Sequence, residues 1–276
     1  MTNPPMTSVD PEAATRRAFD EAAGWYDQLH ESDAAWRASR ARTHRIYLKY
    51  FNPGNRLLEI NCGTGIDAVA LACRGMSVHA TDLSPVMIEA VAQKIRNHDL
   101  EKNLSAEVLA FNELNRLNGQ IFDGIYSNFA GLNCTNDLAT VADALSKLIR
   151  PGGYFIATIM TDFCLWETCA MLLRLRGADA FRRRSRGGVS ANLGGERFPT
   201  YYFSPEKFLP PFRNSFAEQE IVGLNIFTPP LNHLRAYRMI RPLLPLLYAT
   251  DDVLSALPLF RRIGDHAVIV LRRKGA

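Results

Sequence analysis

The sequence predicts an α/β fold built on a parallel sheet. Across residues 56–160, segments with the alternating apolar and polar residues of a strand are followed by segments with helical periodicity. A glycine-rich turn at 61–65 joins the first strand of that region to its first helix. The composition, 47% hydrophobic and 22% charged, is ordinary for a globular protein. Strands that alternate with helices in this way pair in parallel through right-handed crossovers.

The elements follow one another in a regular order. Residues 11–50 carry apolar side chains at helical spacing. Strands are predicted at 56–60, 76–80, 105–110, 122–127 and 154–160, and helices at 66–73, 84–98 and 138–149. Ser84 is placed as an N-cap, with Pro85 in the first helical position.

The regular order ends at Met160. Residues 161–203 hold an apolar helix at 165–175, a run of arginines and a glycine-rich stretch. A further helix starts at Ser204, and final strands are predicted at 218–227 and 267–272, separated by a Leu/Pro-rich helical segment. We expect residues 161–203 and 228–262 to be insertions that together roof a pocket.

The overall composition excludes several classes of protein. The net charge of +4, from 32 basic and 28 acidic residues, is too small to predict nucleic-acid binding. The five cysteines form no CxxC pair, so neither a zinc site nor a disulfide framework is expected, and no metal is predicted. The N-terminus has no signal-peptide pattern, and no apolar run approaches the roughly 20 residues that span a bilayer. We expect a cytoplasmic protein, monomeric or homodimeric.

The most informative segment is the turn after the first strand, Leu57-Leu58-Glu59-Ile60-Asn61-Cys62-Gly63-Thr64-Gly65. Closely spaced glycines between a buried strand and a helix let the backbone approach a ligand, and the helix N-terminus presents free N–H groups to it. Asp82, at the end of the next strand, is placed to accept both hydroxyls of an adenosine ribose. The two features together predict an adenosine cofactor.

Two adenosine cofactors fit this pattern. Residues 63–68 satisfy G-x-G-x-x-A, the nicotinamide dinucleotide fingerprint. However, Glu59 lies just before the turn, where it would repel a pyrophosphate and favour the ammonium group of S-adenosylmethionine. The turn also follows some fifty residues of helical N-terminus, whereas dinucleotide domains often begin with it.

These residues resemble the Rossmann-like (class I) S-adenosylmethionine-dependent methyltransferases, in particular their small-molecule branch. Residues 59–65 are similar to the family's E-x-G-x-G-x-G loop, Asp82 to its ribose-binding acid, and residues 148–155 to its L-x-P-G-G stretch. The resemblance implies a seven-stranded, mostly parallel sheet whose last strand runs antiparallel, with helices on both faces and a helical cap from the insertions. It also implies S-adenosyl-L-methionine as cofactor and S-adenosyl-L-homocysteine as product.

The sequence departs from the family at two places. Asn61 replaces the first glycine of the loop, although Asn tolerates a positive φ better than other residues with a side chain. The family often has an acid after the third strand that contacts the adenine amino group; here that region is Leu109-Ala110-Phe111-Asn112-Glu113, and Phe111 and Asn112 are the candidates to contact adenine. The cofactor contacts we predict are Tyr26, Glu59, Asn61, Cys62, Gly63, Thr64, Gly65, Asp82, Leu83, Met87, Phe111, Asn112, Asn128 and Phe129.

The substrate and the general base are less defined. The family places substrate over the fourth and fifth strands, and the N-terminal aromatic residues resemble a cap that many relatives fold over it. Candidate substrate contacts are Phe19, Trp25, Asn133, Tyr201 and Tyr202. His30 and His233 are candidate bases; an acceptor that is already a thiolate, carboxylate or amine needs no strong base, so the catalytic residue is left unassigned.

The arginine run at 174–186 has two interpretations. It is either a solvated helix end or, with the apolar helix before it and the 243–260 segment, a surface that meets a membrane or a carrier-bound substrate. We favour the solvated end. The run lacks the interleaved aromatic residues that single-stranded nucleic acid needs.

Together these features predict a methyltransferase for a small, largely apolar or aromatic acceptor, such as a secondary metabolite, a quinone or a lipid-like compound. The expected organisation is a helical cap (1–50), a cofactor-binding core (51–160), an insertion over the substrate (161–203) and the end of the core (204–276) with its helical insertion (228–262). The alternatives are an NAD-dependent oxidoreductase and a non-catalytic relative that binds the cofactor.

Overall fold

A seven-stranded sheet with helices on both faces forms the centre of the molecule. The computed structural model describes residues 10–185, 187–231 and 233–275. The sheet has the order β3-β2-β1-β4-β5-β9-β8. Its strands are β1 (Arg56–Ile60), β2 (Ser77–Asp82), β3 (Leu104–Val108), β4 (Phe122–Ser127), β5 (Ile149–Met160), β8 (Phe216–Leu224) and β9 (His266–Arg273). The hairpin strands β6 (Val189–Leu193) and β7 (Glu196–Thr200) form a separate sheet.

The sheet confirms the predicted fold class. Strands β3, β2, β1, β4 and β5 pair in parallel, and β9 runs antiparallel between β5 and β8. One strand, β9, therefore runs antiparallel to the other six, as the resemblance implies. The predicted strands differ from the observed ones by a few residues at their ends, apart from β5, which begins at Ile149 and includes the Pro-Gly-Gly turn.

Ten α-helical segments accompany these strands in the described ranges. They are α1 (Pro11–Ser32), α2 (Ala34–Tyr50), α3 (Ile66–Ala72), α4 (Pro85–Asn97), α5 (Leu138–Leu148), α6 (Leu165–Leu173), α7 (Gly177–Ala180), α8 (Pro205–Phe208), α9 (Leu234–Met239) and α10 (Leu244–Leu254). Asp33 separates α1 from α2, because its side chain accepts from the Ala35 amide at 2.8 Å and caps α2. Ser84 caps α4 as predicted, accepting from the Met87 amide at 3.0 Å.

Each face of the sheet is closed by its own apolar layer. On one face, Leu145 of α5 and Phe212 pack in one cluster with Phe155 of β5. On the other, α2 packs Tyr47 and Phe51 against β1 and β4, next to residues of α3 and α4. This leaves the carboxyl ends of the parallel strands, the edge at which sheets of this type bind ligands, for other elements to cover.

The largest departure from the predicted elements is the β6–β7 hairpin. The sequence analysis predicts no structure for the glycine-rich stretch that forms it. Phe198 of β7 packs against Ala14 and Ala18 of α1. The hairpin therefore supports the N-terminal helix. In the described part of the chain, no helix has the length and apolar content that crossing a membrane requires.

Candidate functional site

The glycine-rich turn after β1 is held in left-handed backbone conformations. Asn61 and Gly63 both have φ of 54°, and Gly65 has 77° before α3 begins. The side chain of Asn61 accepts a hydrogen bond from Ser127 Oγ at 2.8 Å, which ties the turn to the end of β4. The turn therefore keeps the family's conformation at Asn61 without a glycine.

Asp82 contacts the turn from the end of β2. One of its carboxylate oxygens accepts from the Gly63 amide at 2.8 Å and the other from the Ser84 amide at 2.9 Å. Burial, together with the nearby Asp20 carboxylate, raises the pKa of Asp82 to about 6, although the two amides act in the opposite direction. Each oxygen keeps a lone pair for a further donor.

A cavity of about 430 Å³ lies over the carboxyl ends of the first four strands. The sequence analysis predicts eleven of its lining residues: Phe19, Tyr26, Asn61, Gly63, Asp82, Leu83, Phe111, Asn112, Asn128, Phe129 and Tyr201. A smaller cavity of about 20 Å³ shares Tyr26, Asn61, Asn128 and Phe129 with it. The smaller cavity adds the predicted residues Glu59, Cys62 and Thr64.

Seven predicted residues line neither cavity. Gly65 shapes the turn, and Met87 of α4 is fully buried. Asn133 is also buried: its amide nitrogen donates to the Met160 carbonyl at 3.1 Å, and its oxygen accepts from the Met160 amide at 2.9 Å. These are the contacts of a structural clamp. The remaining four are Trp25, Tyr202, His30 and His233.

Helix α1, which belongs to the helical cap expected at residues 1–50, supplies more of the cavity wall than the two insertions that we also expected to cover it. Residues 10–12, 15, 16, 19 and 26 line the larger cavity, whereas residues 161–203 contribute Tyr201 and the described part of 228–262 contributes none. Acidic side chains of α1 also hold the cofactor turns: Glu12 accepts from Asn112 at 3.0 Å, Asp20 accepts from Ser84, and Asp27 accepts from Thr64. The N-terminal helix therefore forms one wall of the cavity.

The smaller cavity contains a charged cluster that the sequence analysis does not predict. Arg40 of α2 forms an ion pair with Asp67, which begins α3. Asp67 also contacts His44 Nε2 at 2.5 Å and accepts from Asn128 Nδ2 at 2.8 Å. Burial raises the pKa of the Asp67 carboxyl, but Arg40 and His44 outweigh it and hold that pKa below its usual range.

Arg40 is left with unused hydrogen-bonding capacity. Its Nε is buried and has no partner among the residues that the structure describes. Its guanidinium lies 4.8 Å from the ring centroid of Phe129, and it lines the smaller cavity with Glu59. Tyr126 donates to Glu59 at 3.1 Å, and burial with the nearby Asp67 raises the pKa of Glu59 well above its ordinary value. A basic and two acidic side chains thus border one small space.

His30 is tied into this cluster and is not free to act as a base. Its Nδ1 lies 3.1 Å from Arg40 Nη2, and its ring stacks on Tyr26 with centroids 4.1 Å apart. Burial, and next the charge of Arg40, lowers the pKa of His30 to about 3, so the ring is neutral at physiological pH. Because a guanidinium only donates, Nδ1 is the accepting nitrogen.

Among the described arginines of the run at 174–186, Arg183 is buried, whereas Arg174, Arg176 and Arg184 are exposed. Arg183 is buried between Glu167 and Asp265, Arg182 contacts Glu167 at 2.6 Å, and Arg176 pairs with Asp179. Arg184 lies over the rings of Phe163 and Phe181. Arg186 lies outside the described residues. Most of the described run is therefore solvated, as the interpretation that we favour predicts, and Arg183 is the member that is used inside the protein.

Comparison with known proteins agrees with this geometry. Residues 57–153 match the family described as "Methyltransferase domain". The ubiquinone biosynthesis O-methyltransferase of Xylella fastidiosa is 30% identical over 140 residues, 50% of this chain and 55% of that protein. The demethylmenaquinone methyltransferase of Symbiobacterium thermophilum is 24% identical over 55% of this chain and 61% of its own length. The aligned part is thus less than two thirds of either relative.

A solved structure of similar fold covers nearly the whole chain. The crystal structure of the cyclase SpnF superposes with a TM-score of 0.65 over 98% of both chains, at 14% identity. At that identity the likeness concerns the fold. The match over residues 57–153, the sheet order and the turn after β1 together support a class I methyltransferase, a family whose cofactor is S-adenosyl-L-methionine.

Proposed function

We propose that the protein transfers a methyl group from S-adenosyl-L-methionine to a small, largely apolar or aromatic acceptor. The observation that carries the proposal is the pair of adjoining cavities, with the Asp82 carboxylate on one and the Arg40 guanidinium on the other. The cofactor has a matching order of groups: a ribose diol, a sulfonium, and an amino acid with a carboxylate and an ammonium group.

The ribose end of this match rests on Asp82. Each of its oxygens already accepts one backbone amide and can accept one hydroxyl more. Leu83 and Phe111 supply apolar lining for the base beside it. The Asn112 amide nitrogen donates one of its two hydrogens to Glu12 of α1 and keeps the other for adenine.

The amino-acid end rests on the charged cluster. The unpartnered, buried Nε of Arg40 is a donor for which a carboxylate is the complementary acceptor, and such charge-assisted bonds are the strong ones. Glu59 and Asp67 supply negative charge for an ammonium group in the same space. An ammonium group there would favour the ionised form of Glu59, whose pKa burial raises.

The acceptor would contact the aromatic side chains of the larger cavity. Phe19, Phe129 and Tyr201 line it, together with the half-buried Cys134. When bound, the cofactor supplies a methyl group that is electrophilic because it is attached to a sulfonium. The chain then has to align the acceptor and exclude water, which α1 does by covering the cavity. An apolar lining favours a quinone, secondary metabolite or lipid-like acceptor.

The comparisons support this proposal at different strengths. The names of both curated relatives refer to quinone biosynthesis, which fits an aromatic acceptor. The methyltransferase-domain match favours this cofactor over a nicotinamide dinucleotide. The cyclase, at 14% identity, supports the fold and does not decide between methyl transfer and the alternatives.

Three lesser features complete the proposal. All five cysteines are unpaired thiols, which fits a reducing compartment such as the cytoplasm. We expect a monomer or a homodimer. We also keep the proposed division into an N-terminal cap, a cofactor-binding core and an insertion that contacts substrate, with Tyr201 as the residue of that insertion at the cavity.

The test is a calorimetric titration with S-adenosylhomocysteine and with NAD. We expect binding of the first alone, abolished or strongly weakened in Asp82→Ala and unchanged in Asp143→Ala, an exposed acid on α5. Binding of NAD alone would overturn the proposal. A second assay follows isotope-labelled methyl from the cofactor to a panel of aromatic hydroxyl compounds. Tight cofactor binding without transfer to any of them would favour the non-methylating alternative.

A further inference from the structure

The segment formed by α9, the turn after it and α10 exposes large apolar side chains. Met239 is 84% exposed, Leu246 65% and Val253 76%, and Leu243 is also exposed. We call these four residues the α10 patch. A helix of a globular protein normally turns such side chains inward, so exposed apolar residues that lie together indicate a contact surface.

Helix α10 carries apolar side chains on its outer face as well as on its inner face. Leu246 and Val253, seven residues apart, lie on one face of the helix and point outward, with the small Ala249 between them. The inner face carries the buried Asp251, which pairs with Arg42 of α2 at 3.1 Å, and Tyr248, whose ring lies under the Arg42 guanidinium. Asp251, Tyr248 and the inward-packed Leu244 anchor the helix, and the apolar side chains of its outer face have no partner in the described structure.

The surroundings of the α10 patch are positively charged. Arg235, Arg238 and Arg241 are exposed, and none of them pairs with a carboxylate of the described residues. The segment 228–262 holds two acidic residues. Asp251 is buried against Arg42, and Asp252 pairs with Arg42 and Arg45, each at 3.0 Å. No free acid therefore balances the arginines in this segment.

We propose that the α10 patch docks on an anionic lipid membrane surface. Apolar side chains flanked by arginines are the pattern with which interfacial helices bury their apolar face at the headgroup boundary and attract acidic lipids. A second copy of the chain is the other occupant to consider. A symmetric contact would bring the same arginines face to face, so their charge disfavours it.

The docked face would lie close to the candidate site. Leu244 and Tyr248 pack in one cluster with Trp36 and Phe129, and Phe129 lines both cavities. The proposal goes beyond the proposed function, because lipid binding is measured without any methyl transfer. If both proposals hold, only helix α10 would lie between the bilayer and the cavity that an acceptor dissolved in the membrane has to reach.

The experiment is co-sedimentation of the full chain with vesicles of phosphatidylcholine, with and without phosphatidylglycerol. We expect binding to the acidic vesicles that weakens as salt is raised. Arg238→Gln and Arg241→Gln should each weaken it about fivefold, the effect of one basic residue near an acidic membrane. Leu246→Gln with Val253→Gln should weaken it further. Arg74→Gln and Ile121→Gln, exposed residues at the opposite end of the strands, are the matched controls.

Three results would overturn the proposal. One is the absence of binding to acidic vesicles at low salt. Another is equal loss of binding in the patch variants and in the controls. The third is a dimer, measured by light scattering, that forms without lipid and is disrupted by Leu246→Gln with Val253→Gln. Such a dimer would mean that a second copy of the chain covers the α10 patch. Thermal melts of all variants verify folding, which these exposed positions should leave unchanged.

Discussion

Two buried arginines near the candidate site differ in how fully their hydrogen-bonding groups are used. Arg183 contacts two carboxylates, those of Glu167 and Asp265, and its remaining nitrogen lies 3.3 Å from two backbone carbonyls. Arg40 has one carboxylate, which it shares with His44, and an Nε without a partner in the described structure. A saturated arginine holds the fold together, whereas an unsaturated one beside a cavity has capacity left for a ligand.

The largest effect on stability is therefore expected at Arg183. Arg183→Met leaves two buried carboxylates without their cation and should lower the free energy of unfolding by about 3–5 kcal/mol. Urea denaturation measures it, with Arg184→Met, an exposed neighbour, expected to change it by less than about 1 kcal/mol. Arg183→Lys serves if the methionine variant does not fold. A loss of cofactor affinity without a loss of stability would reverse the assignment of the two arginines.

Unlike Arg183→Met, Arg40→Met should mainly weaken cofactor binding and should affect stability less. Loss of a charged hydrogen bond, about 1.5–3 kcal/mol, corresponds to a 10- to 100-fold weaker affinity for S-adenosylhomocysteine. Stability should fall less than in Arg183→Met, because Asp67 keeps His44 and Asn128. Calorimetry with 5′-methylthioadenosine, which has no amino acid, is the control and should show little change. Equal losses for the two ligands would mean that Arg40 does not contact the amino-acid end.

The third expected effect is a pH dependence of cofactor affinity at the ribose end. The pKa of Asp82 is raised from 3.8 to about 6, so its folded form holds a proton longer than the unfolded chain does. The stability that this proton brings is present below about pH 4 and is lost as the pH rises through about 6.

Ribose hydroxyls donate to the ionised carboxylate, so binding should act in the other direction. Affinity for S-adenosylhomocysteine should rise about tenfold from pH 5 to pH 7 and then level off, with proton release near pH 6 detectable by calorimetry in buffers of different ionisation enthalpy. Asp82→Asn should bind more weakly and without this pH dependence. An unchanged pH profile in that variant would assign the titration to another group.

The two arginines also show what the sequence predicts and what it does not. The turn at 61–65 and Asp82 are predictable because their geometry comes from adjacent residues and from the neighbouring strand. Arg40 lies on a basic helix, where an arginine normally faces solvent. Its partner Asp67 is 27 residues away, and only the packing of α2 brings them together. One signal existed: Arg40 and His44 are four residues apart and so share a helix face.

The β6–β7 hairpin is the corresponding case for the fold. Gly194 and Gly195 between two strand-forming runs are a recognised hairpin signal. Pro199 in β7 and the preceding arginines obscure it, and this short sheet is held by packing on α1, which the local sequence does not contain. The same holds for the wall of the cavity, since long-range contacts decide that α1 covers it.

The smallest effect on stability is expected at Asn61, which lines the smaller cavity together with Arg40. Asn61→Gly relieves a positive φ but removes the hydrogen bond from Ser127, so stability should change by less than about 1 kcal/mol. A Cβ on Gly131 would lie 1.7 Å from Asn61 Nδ2. Gly131→Ala alone should therefore lower stability by about 1–3 kcal/mol through overpacking.

The double variant decides whether Asn61 and Gly131 form one unit. The backbone of Gly131 does not have a positive φ. An alanine there would therefore clash with the Asn61 side chain, but its backbone would not be strained. In the Asn61→Gly background Gly131→Ala should consequently be nearly neutral, a coupling that a thermodynamic cycle measures. Equal destabilisation in both backgrounds would show that another neighbour excludes the methyl group. Recovery of stability in the double variant would show that the turn accommodates Asn61 because Gly131 has no side chain and leaves room for it.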